Sequence, residues 1–268
     1  PEDHLDRGGA AMSARALRSI LVLVLIAVAQ PALAEESAPM TREKREQAAR
    51  INAELAITYM KQGNLQAARD KIDRALKQNP RTADTQMAAG FVYDRLGQDK
   101  RAAGHFEQAV KLATDNPDVL NNAAVYMCRK GDKKRGEAYF LQAAASPLYK
   151  TPEVAYLNAG QCARADGRLK EAEQYFRQSL AIKAEMPEPL LQLADVLHHS
   201  GSNLQARAFL QRYTAVASPT ASVLWLGYRI ETALGDASAA QEYGRRLKAD
   251  FAVSTETGLL LDAEKAKL

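Results

Sequence analysis

The sequence predicts an all-α fold, an α-solenoid assembled from six copies of one two-helix unit. Three observations carry that prediction. Glycines recur at Gly63, Gly97, Gly131, Gly167, Gly201 and Gly235, spaced 34, 34, 36, 34 and 34 residues apart, and a fixed period of this length marks stacked repeats. Small and large apolar residues recur at constant offsets from each glycine. Aromatic residues make up only 6% of the chain while alanine is abundant, which favours closely packed helices over a sheet.

Each slot of the unit has a physical reason, taken in chain order. Seven residues before the glycine stand Ala56, Gly90, Ala124, Gly160 and Ala194, small enough to let the first helix approach the second. The glycine itself permits the turn that ends the first helix. Five residues after it come Ala68, Ala102, Gly136, Ala172, Ala206 and Ala240, again small. Nine after it come Ile72, Phe106, Phe140, Phe176 and Leu210, large enough to fill the gap between successive units. Pro80, Pro117, Pro147, Pro187 and Pro219 stand near the boundaries between successive units, where proline is expected to stop the second helix.

This pattern resembles the tetratricopeptide repeat (TPR), which implies antiparallel helix pairs stacked in a right-handed superhelix with the first helices lining its inner face. Six repeats are expected at 49–82, 83–116, 117–152, 153–186, 187–220 and 221–254. The sixth is eroded, with Tyr228 in the small slot and Gly244 in the large one, as terminal units often are. Between units three and four the spacing grows by two residues, through Ser146-Pro147-Leu148-Tyr149-Lys150-Thr151-Pro152. Pro147 should end one helix and Pro152 open the next, with Tyr149 packed over the joint.

Outside the repeats the N-terminus is informative. Arg15 and Arg18 follow Met12, an apolar run covers Ile20 to Ala29, and Ala32-Leu33-Ala34 precedes Glu35-Glu36. These are the three parts of a cleavable signal peptide, expected at 12–34, and the run is too short to span a bilayer core of ~30 Å. Cleavage after Ala34 would export the chain to the periplasm. Residues 1–11 read as an upstream extension, 35–48 as a charged lead-in and 255–268 as a C-terminal tail.

The 36 Lys and Arg exceed the 32 Asp and Glu by four, but the cations are scattered, so no nucleic-acid partner is expected. A catalytic reading has little to work with. No nucleophile elbow, phosphate loop or His-Glu-x-x-His occurs, and His105, His198 and His199 lack the spacing of a metal site. The protein is expected to be no enzyme and to need no cofactor or metal. Cys128 and Cys162 are the two cysteines, near the ends of the first helices of units three and four. Either they form a disulfide, as export would favour, or they are two separate buried thiols.

Register within the repeat also nominates an inner surface. Its early part is apolar: Ala53, Ile57 and Met60 in unit one, Met87, Phe91 and Asp94 in unit two, Asn121 and Val125 with Cys128 in unit three. An apolar groove suits an amphipathic helix or extended apolar segment of a protein partner, unless these side chains pack on neighbouring helices or on the lead-in. Gln161, Arg164, Asp195, His198 and Arg229 make the later part polar.

A narrower resemblance runs through units three to six. The residues are Leu120-Asn121-Asn122-Ala123-Ala124, Ser146-Pro147-Leu148-Tyr149, Tyr156-Leu157-Asn158-Ala159-Gly160-Gln161-Cys162-Ala163 and Ala206 to Arg212-Tyr213. Leu224-Trp225-Leu226-Gly227-Tyr228-Arg229-Ile230, Gly235-Asp236, Glu242-Tyr243-Gly244 and Leu247 complete them. Their order, with the proline-tyrosine linker, resembles the type IV pilus biogenesis and stability family called PilF or PilW. The resemblance implies a non-enzymatic, outer-membrane-associated scaffold, called a pilotin in some members. Such proteins help the secretin, the pore through which the pilus exits, to assemble or to reach the outer membrane. The implied partner is the secretin or another pilus assembly protein.

Two departures qualify this. Family members end the signal peptide in a lipobox whose cysteine is lipidated, and no cysteine stands near Ala34. No direct lipid anchor is therefore expected, and association with the outer membrane would run through a partner. Phe251-Ala252 also stands where the family has phenylalanine-proline. The alternative function is a periplasmic repeat adaptor for another envelope machine, in cell-wall synthesis or outer-membrane protein biogenesis.

Overall fold

The computed structural model describes residues 40–266; the expected upstream extension, the expected signal peptide and residues 35–39 of the expected lead-in lie outside these. The described residues form thirteen α-helices and no strand. The chain divides into two units between Gln47 and Ala48. Of the first, residues 40–47 are described. Here α1 (Arg42–Lys61) begins, earlier than the expected first repeat, with Thr41 Oγ1 accepting the Lys44 N–H at 3.3 Å and Arg42 pairing with Glu46 one turn on.

The second unit holds the repeats. The rest of α1 pairs with α2 (Leu65–Gln78), α3 (Ala83–Arg95) with α4 (Asp99–Leu112), and α5 (Pro117–Arg129) with α6 (Lys133–Ala145). Then α7 (Pro152–Ala165) pairs with α8 (Leu169–Ile182), α9 (Pro187–His199) with α10 (Asn203–Val216), and α11 (Ala221–Leu234) with α12 (Ala237–Asp250). A further helix, α13 (Thr255–Lys265), closes the stack.

Local chemistry sets these boundaries. Asn116 caps α5, its Oδ1 accepting the N–H groups of Asp118 at 3.0 Å and Val119 at 3.3 Å, while Pro117 fills the first helical position, where no donor is needed. At the other end of a first helix, Gly235 stops α11 at φ 77°, a conformation that a Cβ would oppose. The Asp236 N–H reaches Glu231 O at 3.0 Å and the Gly235 N–H reaches Thr232 O at 3.1 Å, satisfying the last carbonyls. The other five period-setting glycines share the positive φ, so the period is written in the one residue that takes this backbone freely.

Small and large slots lie sixteen residues apart in sequence and in contact in space. A Cβ built on Gly90 would lie 2.9 Å from the Phe106 ring, and one on Gly160 only 2.5 Å from Phe176. Both rings are fully buried, each contributing ~1.5–3 kcal/mol by the area removed from water. Phe106 also stacks on Tyr126 of the next unit, ring centres 4.5 Å apart. The aromatic slot thus seals its own unit as well as the gap to its neighbour.

In the sixth unit this pairing persists in a shifted form. A Cβ on Gly227 would lie 2.5 Å from Tyr243, so the small–large pair has moved one residue toward the N-terminus with its separation of sixteen intact. Tyr228 and Gly244 carry the same pairing in reverse. The space left at Gly244 admits Leu260, whose side chain would come within 3.3 Å of an added Cβ. Leu260 belongs to α13, so most of the segment expected as a tail is a capping helix. Ser254 starts it by accepting the Thr257 N–H at 3.2 Å, and Leu260 is fully buried with Leu224, Tyr228 and Leu247.

At the joint, α6 ends at Ala145 and α7 opens on Pro152. Tyr149 turns inward, buried in the same cluster as Val119, Ala143 and Ala155, while Leu148 is 78% exposed. The core divides at this point. One apolar cluster runs from Ala53 to Ala155 and a second from Leu157 to Ile230. A small cluster of Ala124, Phe140, Ala159 and Cys162 draws on both sides of the joint.

Candidate partner-binding face

The first helices of successive units present equivalent positions ten, six and three residues before each period glycine. In the front half these are the residues nominated from sequence, and they separate into two groups. Ala53, Met87 and Asn121 are 6, 8 and 9% exposed. Burial among adjacent helices gives them a packing role, with Asn121 Oδ1 accepting from Asn158 Nδ2 at 3.0 Å, and removes them from an open groove. Ile57, Met60 and Phe91 are half-buried against the front core, Phe91 edge-on to Phe106 with ring centres 5.3 Å apart. Val125 is 42% exposed. The accessible apolar set is therefore Ile57, Met60, Phe91 and Val125. Asp94 sits at its edge, bound by Arg129 of the next unit and 3.9 Å from Lys130 Nζ.

The cysteines left open between two states are joined. The Sγ atoms of Cys128 and Cys162 lie 2.09 Å apart and their Cα atoms 5.8 Å apart, which ties α5 to α7 across the joint. The bridge closes a loop of 34 residues in sequence separation around the two-residue insertion.

The rear half holds what the sequence alone did not reveal. A cleft of about 290 Å³ opens across α7, α9 and α11, with Leu191, Trp225 and Leu226 as its apolar lining and Arg164, Asp195 and Arg229 as its charges. Trp225 is half-buried and stacks on Tyr228 with ring centres 5.4 Å apart. Arg164 is held by the Asp195 carboxylate and donates to Gln192 Oε1 at 2.7 Å. Among the described residues Arg229 has no hydrogen-bond or ion-pair partner. His198 Nδ1 lies 2.8 Å from Asn203 Oδ1 and His199 Nδ1 lies 2.8 Å from the Asp195 carbonyl oxygen, so each is engaged within its own unit.

Polar groups elsewhere serve the stacking of units. Glu137 accepts from Tyr175 Oη and Arg168, both in the next unit. Burial raises its pKa, but these two bonds outweigh burial and hold the carboxyl below its ordinary value. Burial and the bond to Glu137 push Tyr175 up to about 12. Asp73, Tyr93, Arg101 and His105 make a second cluster, with Arg101 3.6 Å above the Tyr93 ring and His105 stacked on that ring and bound to Gln86 Oε1 at 2.7 Å. Burial, helped by the nearby Arg101, lowers the His105 pKa. No group of three or more His, Cys, Asp or Glu side chains is placed to hold a metal among the described residues. No described helix is long and apolar enough to cross a membrane.

A tetratricopeptide-repeat family model matches residues 53–117 and 128–187, and a second matches 163–223. The type IV pilus assembly protein PilF of Pseudomonas aeruginosa is 27% identical over 221 residues, covering 81% of this chain and 87% of PilF. The crystal structure of PilW, a widely conserved type IV pilus biogenesis factor, superimposes with a TM-score of 0.73 at 32% identity over 80% of this chain and 99% of PilW. The chain belongs to the PilF/PilW family. The solved structure of Pseudomonas aeruginosa PilF shares the fold, with a TM-score of 0.70 at 24% identity over 82% of this chain and 99% of that one. The homology supports a TPR protein involved in type IV pilus biogenesis, and repeats of this class work by binding protein partners.

Proposed function

We propose that this protein is a non-enzymatic scaffold of the periplasm that assists assembly or stability of the type IV pilus secretin, acting as a pilotin-like factor through protein binding. The observation that carries the proposal is the match to PilW over nearly all of PilW's length at 32% identity. The partner-binding surface in this reading is the accessible apolar set on the first helices of units one to three, Ile57, Met60, Phe91 and Val125, with Asp94 at its edge. An apolar strip of this kind would accept an amphipathic helix or extended apolar segment of the secretin. Export by the 12–34 leader delivers the chain, and binding to the secretin supplies its association with the outer membrane.

A deletion strain tests the proposal. Loss of twitching motility together with loss of heat-resistant secretin multimers is expected, and complementation should restore both. Normal multimers and normal motility would reject it. Phe91→Ala addresses the surface. It should weaken capture of purified secretin while the protein keeps its helical spectrum; unchanged capture would move the contact elsewhere.

A further inference from the structure

The cleft in the rear half is separate from the front apolar strip, and its charges do not balance. Asp195 and Arg164 neutralise each other in a direct ion pair, and Gln192 supplies a neutral acceptor to the same guanidinium. Arg229 is the remaining charge in the lining and has no partner among the described residues. Beside it lies an apolar surface formed by Leu191 and the indole of Trp225, with Leu226 buried beneath them. One face of that indole is taken by the Tyr228 ring, and the side chain remains only half-buried.

Size and shape narrow the occupant. About 290 Å³ lies at the small end of ligand-sized cavities and suits one large side chain rather than a whole helix. The cleft also crosses three successive first helices. Neighbouring helices stand ~8–10 Å apart, so the crossing spans roughly 16–20 Å, or about five to six residues of extended chain at ~3.3 Å each. An aromatic side chain would stack on the free part of the indole. An adjacent carboxylate would meet the unpaired guanidinium in a charge-assisted, two-pronged hydrogen bond.

We propose that this cleft is a second docking site, which seats an extended acidic-aromatic segment of a protein partner. Its aromatic side chain lies on Trp225 and Leu191, and its neighbouring Asp or Glu lies on Arg229. The proposal does not depend on the secretin being the partner, and its test uses purified protein.

Trp225 is the single tryptophan of the chain, so intrinsic fluorescence reports on the cleft without a label. The probe is acetyl-Gly-Asp-Phe-Asp-Gly-amide, titrated beside the same peptide with asparagines or with lysines in place of its aspartates. A saturable change in tryptophan emission is expected with the acidic peptide, weaker with the asparagine peptide and absent with the lysine peptide. Arg229→Gln should weaken the acidic peptide on the order of tenfold, and Arg229→Glu should reverse the preference toward the lysine peptide. Arg229 has no partner to lose, so both variants should keep the wild-type helical spectrum, which circular dichroism checks. The proposal is overturned by the absence of a saturable response to the acidic peptide. It is equally overturned if affinity is indifferent to peptide charge, or if the folded Arg229→Gln protein binds like wild type. Normal pili in the deletion strain would reject the secretin reading and leave this result untouched.

Discussion

Replacing Gly160 by alanine should destabilise the protein, against the general rule for glycine inside a helix. In an open helical site the change gains up to about 1 kcal/mol, because alanine is the better helix former. Gly104 in α4 is such a site, with nothing within 4 Å of an added Cβ. At Gly160 the new Cβ would lie 2.5 Å from the Phe176 ring, which is fully buried and has little room to yield. Overpacking of this kind costs ~1–3 kcal/mol. Set against the propensity gain, Gly160→Ala should lose up to about 2 kcal/mol. For a chain of this size that lowers Tm by up to about 8 °C, whereas Gly104→Ala should raise it by about 2–4 °C. Thermal unfolding followed by far-ultraviolet circular dichroism reads both. Trimming the ring gives a third measurement: Phe176→Leu should cost less on the Gly160→Ala background than alone, because the two sites share one space. Two glycine variants shifting Tm in the same direction, or strictly additive penalties in the double variant, would refute the packing account.

Three further outcomes follow from the same structure. Cys128→Ser should cost about 4 kcal/mol by the loop-closure estimate for 34 residues, measured by urea unfolding; if wild type without reductant melts no later than the variant, the bridge contributes nothing. Leu260→Ala should cost about 2–5 kcal/mol at a fully buried site and speed hydrogen exchange in α12 and α13 more than in α3 and α4; uniform acceleration would deny α13 its capping role. Acidification should lower stability through His105: its pKa is depressed in the fold, so the unfolded chain binds more protons as pH falls through about 6.5. His105→Gln should flatten the loss of Tm between pH 7.5 and pH 5, and an unchanged slope would assign the pH dependence to other groups.

The repeat was legible because its constraints are local and each falls on few residue types. A left-handed turn asks for glycine, a close helix approach asks for Gly or Ala, and the gap opposite asks for Phe, Ile or Leu. These demands recur at one period, so six weak signals add. In the sixth unit fixed offsets from Gly235 fall on Tyr228 and Gly244, whereas the sixteen-residue separation between small and large partners is kept by Gly227 and Tyr243. The capping helix left a signal in the Ser254 cap and the Leu259-Leu260-Leu261 run, but only the vacancy at Gly244 explains why Leu260 is buried. The binding face was the least legible part. Repeat register identifies which side of a helix faces inward but not how closely the next helix approaches. Ala53, Met87 and Asn121 thus read as surface and proved buried. The rear cleft depends on the Arg164–Asp195 pair, which leaves Arg229 alone, and no spacing in one helix predicts a pair made between two.

The bridge between Cys128 and Cys162 has a mechanical consequence. A pull on the two ends of the chain would put it under tension, and tension follows covalent bonds. In the oxidised protein a pull on the two ends passes from α5 to α7 through the sulfurs, so the 34-residue loop carries none of it. The second helix of unit three, the inserted joint and Tyr149 all lie in this unloaded loop. They should stay folded while front and rear repeats peel away. Reduction should return the loop to the load path, adding roughly 110–120 Å of extensible length that single-molecule stretching would register as one additional step.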